Sequence, residues 1–333
     1  MDVVQKALYG GVLPAVLAVV IAGMALWAAS RGQFGRRLAA WAVPLAAAGA
    51  LLISFAGQYA EVTGRWRWVI PAAVVVILLW ATFVSVWPSV SRRIASYAFA
   101  AAATIAAAGG ILLWPTIYDQ QPQWLHAVPF AALAALVAAL YPAAVRLANP
   151  GDGLAVAISG AFLTPVVVFS GNAMLGELLV TTAVAAGAAS LLVLVVRGRR
   201  RRDAEVAVAA QPEVDRAEPL QVEYGGEALF REEAFVEGRR RVSAGAIGVA
   251  LAYPMFALVA WCNSYDLPAI HAWALALPCA ALPLIWVSRL PWLSRHPLLG
   301  AAAAVIAVGA VAALGLVLAY QGVEDIAVYD PGF

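Results

Sequence analysis

Two stretches of this chain carry side chains that could do polar chemistry: WPTIYDQQPQWLHAVP (114–129) and WCNSYDLPAIHA (261–272). Each reads Trp-x-x-x-Tyr-Asp, then a proline, then Leu or Ile, then His-Ala. Asp119, His126, Asp266 and His271 offer carboxylates and imidazoles. Such donors bind a divalent metal when several converge on one point. The same residues also have an architectural use. Asp shortly before Pro starts a helix, because the carboxylate accepts from the open N–H groups of the first turn. Trp, Tyr and His suit a boundary where one end of the side chain is wet and the other apolar. The architectural reading is preferred, with these four residues kept as the metal candidates.

A second polar set lies in 154–196, inside otherwise apolar sequence: Ser159, Thr164, Pro165, Ser170, Asn172, Glu177, Thr181 and Thr182. Pro165 frees a carbonyl in mid-helix, and Glu177 and Thr181 fall one turn apart on one helical face. Ser159, Thr164, Asn172, Glu177 and Thr181 are therefore the candidates for lining a substrate path. Their plain alternative is helix packing by small hydroxyls, with Glu177 favouring a helix start. Pro254, Pro278 and Pro283 mark further kinks. No phosphate-cradling glycine loop, HExxH or Gly-x-Ser-x-Gly is present. The three histidines and two cysteines suggest no cofactor, haem or metal cluster.

The elements that must hold these residues are apolar and long. The chain is 64% hydrophobic and 12% charged, with a mean hydropathy of +0.85. Crossing about 30 Å of hydrocarbon takes roughly 20 helical residues. Ten such runs are legible: 7–29, 38–57, 68–87, 94–115, 124–145, 154–171, 174–196, 242–262, 268–288 and 297–320. The fold expected is an all-α polytopic transmembrane bundle. Residues 1–196 hold helices 1 to 7 and 242–320 hold helices 8 to 10. The first run is read as a retained span, because Arg31, Arg36 and Arg37 follow it directly.

Charge sets the expected orientation. The loops after helices 1, 3, 5, 7 and 9 hold 18 of the 21 basic residues, and the other side holds Lys6, Arg65 and Arg67. By the positive-inside rule both termini, including the tail 321–333, lie outside the cytoplasm of a bacterial inner membrane. Eleven of the twelve tryptophans fall near the expected boundaries, and only Trp80 is deep.

Arginine-to-tyrosine spacing also repeats. Arg36 precedes Tyr59 by 23 residues, Arg92 precedes Tyr118 by 26, and Arg240–Tyr265 and Arg295–Tyr320 are each 25 apart. Helices of about 25 residues reach roughly 37 Å, headgroup to headgroup. A repeated helical hairpin is the expectation, with 2–3, 4–5 and 8–9 as copies in one orientation. Such duplication is frequent in transporters.

The segment 197–241 is the largest expected soluble piece, on the cytoplasmic side. RGRRRR opens it, GRRR closes it, and residues 203–237 carry ten acids and two arginines. Such composition predicts disorder, except for a short surface helix over EALFREEAFVE (227–237). Its partners would be anionic lipid or a cytoplasmic protein, beside the bilayer itself. Nucleic acid is not implied, since the basic residues sort by loop.

Function follows only as expectation: a non-catalytic membrane subunit or scaffold first, a small permease with a path near helices 6 to 9 second, and an outward-facing lipid-processing enzyme third. The charge asymmetry makes the first prediction. Cysteines placed in 197–241 should resist a membrane-impermeant reagent in intact cells, and cysteines placed after Tyr320 should react. The reverse labelling pattern would invert every assignment of side.

Overall fold

The computed structural model describes residues 7–58, 69–86, 136, 139–140, 148–209, 225–263, 272–294 and 296–329. Among these residues every regular element is helical and none is a strand. A π-helical turn, Leu8–Val12, runs into α1 (Leu13–Ala29). Then come α2 (Gln33–Ala39), α3 (Ala42–Gln58), α4 (Val69–Val86), α5 (Pro150–Phe169) and α6 (Ala173–Ala209). After these follow α7 (Gly225–Val249), α8 (Ala252–Asn263), α9 (Ala272–Ala280), a 3₁₀ segment (Leu282–Arg289), α10 (Pro291–Ser294) and α11 (Pro297–Tyr329).

Among the described residues, five helical stretches are long and apolar enough to cross a membrane: Leu8–Ala29, Gly151–Phe169, Ala173–Arg199, Glu233–Trp261 and Leu298–Gly322. Three shorter apolar stretches, Ala42–Ala56, Val69–Ser85 and Trp273–Arg289, match expected helices 2, 3 and 9. Expected helices 4 and 5 lie outside the described residues, apart from Leu136, Ala139 and Leu140. The charged segment contains more helix than its composition suggests. α6 continues to Ala209 and α7 begins at Gly225, so residues 210–224 alone separate them in sequence.

α5 is the hub, packed against α6, α7, α8, α9, α11 and the 3₁₀ segment. The stretch Glu233–Trp261 is the most enclosed, with 94% of its apolar window buried, against 28% for Leu298–Gly322. The latter therefore forms a flank. Alanine dominates the buried set. Lipid tails are as apolar as leucine, so close backbone approach, more than expulsion of water, drives such helices together.

Prolines decide where the helices bend and what lies against them. Pro14 cannot donate to a carbonyl. Leu13 N–H turns back five residues to the Leu8 carbonyl, and the Tyr9 carbonyl receives the Ser54 hydroxyl of α3 at 3.2 Å instead. Pro44 withholds the N–H that would pair with the Ala40 carbonyl. Gly245 of α7 packs there, and a Cβ on it would stand 2.5 Å from that oxygen. Pro278 does the same to the Ala274 carbonyl. Gly315 of α11 covers it, with room for no Cβ beyond 2.7 Å.

The long central span also breaks. Ala250 and Leu251 N–H groups bond three residues back, to Ile247 and Gly248. Tyr253 N–H takes the Ala250 carbonyl that Pro254 cannot serve. Expected helix 8 is thus two helices, α7 and α8. Expected helix 9 is α9 followed by a 3₁₀ segment, since Pro278 and Pro283 both lack donors. Trp80, the one deep tryptophan, lies against this break. Its indole N–H donates to the Ala244 carbonyl at 2.9 Å, and its ring fills the space a side chain at Gly248 would need.

Gly248→Val should therefore destabilise more than Trp80→Phe. Overpacking a close contact costs about 1–3 kcal/mol, whereas one lost hydrogen bond costs about 1 kcal/mol. Thermal unfolding of the detergent-purified chain checks this, and a Gly248→Val protein that melts like the parent would refute the packing.

Candidate functional site

Two polar layers lie within the described bundle, one at the end where α5 begins and one at the level of the helix breaks. The first is an ion pair. Asn149-Pro150-Gly151-Asp152 starts α5 with proline in the first turn and a reciprocal capping box. The Asn149 side chain accepts from Gly151 N–H at 3.4 Å, and Asn149 N–H donates to Asp152 Oδ2 at 2.8 Å. This fixes a carboxylate that is fully buried. Arg289, the last residue of the 3₁₀ segment, meets it in a two-pronged pair: Nη1 donates to Oδ1 at 2.9 Å and Nη2 to Oδ2. Nη1 also donates to Ser288 Oγ at 2.8 Å and to the Ile285 carbonyl. The guanidinium lies 5.6 Å from the centre of the Trp286 ring. Trp286 in turn donates to the Ala139 carbonyl at 2.7 Å. The paired residues are 137 positions apart in sequence, so the ion pair joins the start of α5 to a distant segment.

The second layer surrounds the break between α7 and α8. Ser159 Oγ donates to the Pro278 carbonyl at 2.7 Å, joining α5 to α9. One residue on, Gly160 faces the Tyr253 hydroxyl, and a Cβ on Gly160 would stand 2.5 Å from that oxygen. Thr182 lies close by, its hydroxyl donating to the Leu179 carbonyl at 2.8 Å. Tyr253 is fully buried, and no hydrogen bond of good geometry reaches its hydroxyl. A phenol in this position can donate or accept, and an added polar atom could serve it.

The residues read as a path fall mainly to backbone partners. Thr164 Oγ1 donates to the Gly160 carbonyl at 2.8 Å, and Thr181 Oγ1 to the Glu177 carbonyl at 3.0 Å. The Glu177 side chain is half-buried in the second turn of α6. Asn172 belongs to the α5–α6 turn. Gly171, at φ 82°, closes α5 with amide bonds from Gly171 to Val168 and from Asn172 to Val167. This is the glycine-dependent helix stop that serves the last carbonyls. The Asn172 amide then donates to the Ser170 carbonyl at 3.0 Å and to the Ala260 carbonyl at 3.4 Å, tying the turn to α8. Ser159 is thus the path candidate that joins the break layer, and Asn172 clamps the turn at the far end of α5.

The four metal candidates, Asp119, His126, Asp266 and His271, lie outside the described residues. Among the described residues, no three His, Cys, Asp or Glu side chains come together. Asp152 is not among the residues expected from the sequence, although Asn-Pro-Gly-Asp before an apolar run is a capping signature. Arg289 counts in the sequence only as one of the basic residues of one side, Pro254 marks a kink with no sign of the adjacent Tyr253, and nothing local distinguishes Gly160 from the chain's other glycines. Compared with known protein families, curated proteins and solved structures, the chain matches none.

The ion pair makes a sharp prediction. Removing one partner of a buried pair, as in Asp152→Leu or Arg289→Met, leaves a charge unpaired and should destabilise by about 3–5 kcal/mol. The double substitution should recover most of that loss. Melting in detergent measures both, and additive losses in the double variant would show that the two side chains act separately.

Proposed function

We propose that this chain is a multi-pass protein of a bacterial inner membrane that serves as a non-catalytic subunit or scaffold. In this reading ten spans, built from repeated hairpins, place both termini outside the cytoplasm and 197–241 within it. The arginine asymmetry supports the orientation, and the five long apolar helices support the membrane location. One observation carries the function. Of the five path candidates, Ser159, Thr164 and Thr181 each donate a hydrogen bond to a backbone carbonyl, and Asn172 donates to two carbonyls and to the Ser170 hydroxyl. Ser159 and Asn172 thereby tie neighbouring helices together, Thr164 and Thr181 bond back within their own helices, and the set keeps little donor capacity for a solute.

A small permease is the second reading, favoured by a specific feature. The most enclosed span is discontinuous at Ala250–Leu251, and a buried phenol lies beside the break. Irregular backbone at membrane depth is tolerated where protein buries it or where it lines a path.

Gentle purification of the full chain from its native membranes separates the two. A subunit should bring one protein at fixed stoichiometry, released when residues 203–237 are deleted. A permease should purify alone. Solute uptake by that protein in vesicles, abolished by Tyr253→Phe or Glu177→Gln with melting unchanged, would replace the first reading with the second.

A further inference from the structure

The 3₁₀ segment Leu282–Arg289 is eight residues long. Runs beyond three or four residues are uncommon, because the tighter turn has poorer hydrogen-bond geometry than the α-helix. Pro283 accounts for the start of this one, since it has no N–H. Leu284 N–H bonds three residues back, to the Ala281 carbonyl at 2.9 Å. Proline does not account for the length. Residues 285–289 each carry an amide donor that could bond four residues back.

Two features keep the segment tightly wound. Its buried side chains are Leu282, Ile285 and Ser288, spaced by three, which is the 3₁₀ period. The Ile285 carbonyl is also taken. In an α-helix it would accept from the Arg289 amide. Here it accepts from the Ser288 hydroxyl at 2.7 Å and from Arg289 Nη1. A carbonyl has two lone pairs, so these side-chain donors occupy the place that the α-helical amide would need. The same guanidinium is fixed by both oxygens of Asp152, a fully buried residue of α5.

Helix type and ion pair therefore depend on each other. Seven steps separate Leu282 from Arg289. The two kinds of helix differ by about 0.5 Å of rise and about 20° of turn per step. Rewinding to α would draw Arg289 back by about 3.5 Å and turn it by about 140°, away from both Asp152 oxygens. The reach of the span changes too. Trp273 and Arg289 bound this apolar stretch, and both residue types suit a headgroup boundary. With 282–289 in 3₁₀ form the stretch reaches about 30 Å, and wholly α-helical it would reach about 26 Å. Natural bilayers differ in hydrocarbon thickness by a similar amount.

We propose that the Asp152–Arg289 pair is a latch that holds Leu282–Arg289 in its long form, and that a thinner bilayer releases it. The partner is the bilayer, sensed through its hydrocarbon thickness. The latch rests on the membrane location given above and not on the choice between subunit and permease.

The test is solid-state NMR on the full chain, carrying carbonyl-13C isoleucine and amide-15N arginine, in dilauroyl- or dioleoyl-phosphatidylcholine bilayers. Ile285–Arg289 is the one Ile-x-x-x-Arg in the sequence. Its carbonyl and amide come into hydrogen-bond contact only in the α form, and Ile285→Val supplies the background signal. The expected result is clear 13C–15N coupling in the thin dilauroyl bilayer and weak coupling in the dioleoyl one. Asp152→Asn should show the coupling in both bilayers. Ser288→Ala, a milder change, should strengthen it in the dioleoyl bilayer, and it decides the latch if Asp152→Asn does not fold. Equal coupling of the parent in the two bilayers overturns the proposal. Weak coupling of a folded Asp152→Asn in both bilayers overturns it as well. Flotation with the vesicles checks the location separately: a chain that stays behind overturns the membrane reading, and the latch with it.

Discussion

A carbonyl oxygen that loses its amide donor inside a membrane has no water to turn to. Much of this bundle is arranged around that constraint. Pro14, Pro44, Pro254 and Pro278 each deprive a carbonyl, and the four cases are met in three ways. The Tyr9 carbonyl takes a serine hydroxyl from another helix. The Ala250 carbonyl takes an amide from one residue nearer, at the expense of helical regularity. Ala40 and Ala274 are covered by glycines of α7 and α11, close enough for the glycine Cα–H groups to contribute weak hydrogen bonds. Three of these four solutions come from a distant element. The kinks therefore specify which helices are neighbours.

The same logic explains what the sequence could and could not reveal. Apolar runs need only length and hydrophobicity, so 7–29 and 68–87 correspond to Leu8–Ala29 and Val69–Val86 within a residue. The prolines marked where helices bend, but not what covers the bend, because Gly245 and Gly315 carry no local sign of their partners. Ser159 and Asn172 stood out by polarity, whereas their acceptors, Pro278 and Ala260, are backbone atoms invisible to residue type. Asp152 has only a local capping signature and Arg289 only its place among the basic residues of one side, and neither signal carries any sign of a partner 137 positions away. The low helical expectation for 197–241 came from its charge. Helix over 197–209 instead extends from an apolar span that has already met the nucleation cost.

The polar interior therefore works as a set of joints. Ser159 joins α5 to α9, Asn172 joins the α5–α6 turn to α8, and Trp80 joins α4 to α7. The Asp152–Arg289 pair joins the start of α5 to the end of the 3₁₀ segment. A buried pair of this kind contributes little net stability over a well-packed apolar replacement. Its effect is on register, since the carboxylate and guanidinium meet in two-pronged geometry only when α5 and the 3₁₀ segment are correctly docked.

α6 has no break along its length. Its 37 residues run without a proline from the Asn172 clamp to Ala209, a rod about 55 Å long. Such a rod acts as a lever with its fulcrum in the bilayer. A tilt of about 5° at the clamped end would sweep the far tip through about 5 Å, given that length. The kinked helices around it would absorb a comparable disturbance locally. In mechanical terms, α6 couples the α5–α6 turn to the charged segment, and its stiffness sets how much of any movement at one end arrives at the other.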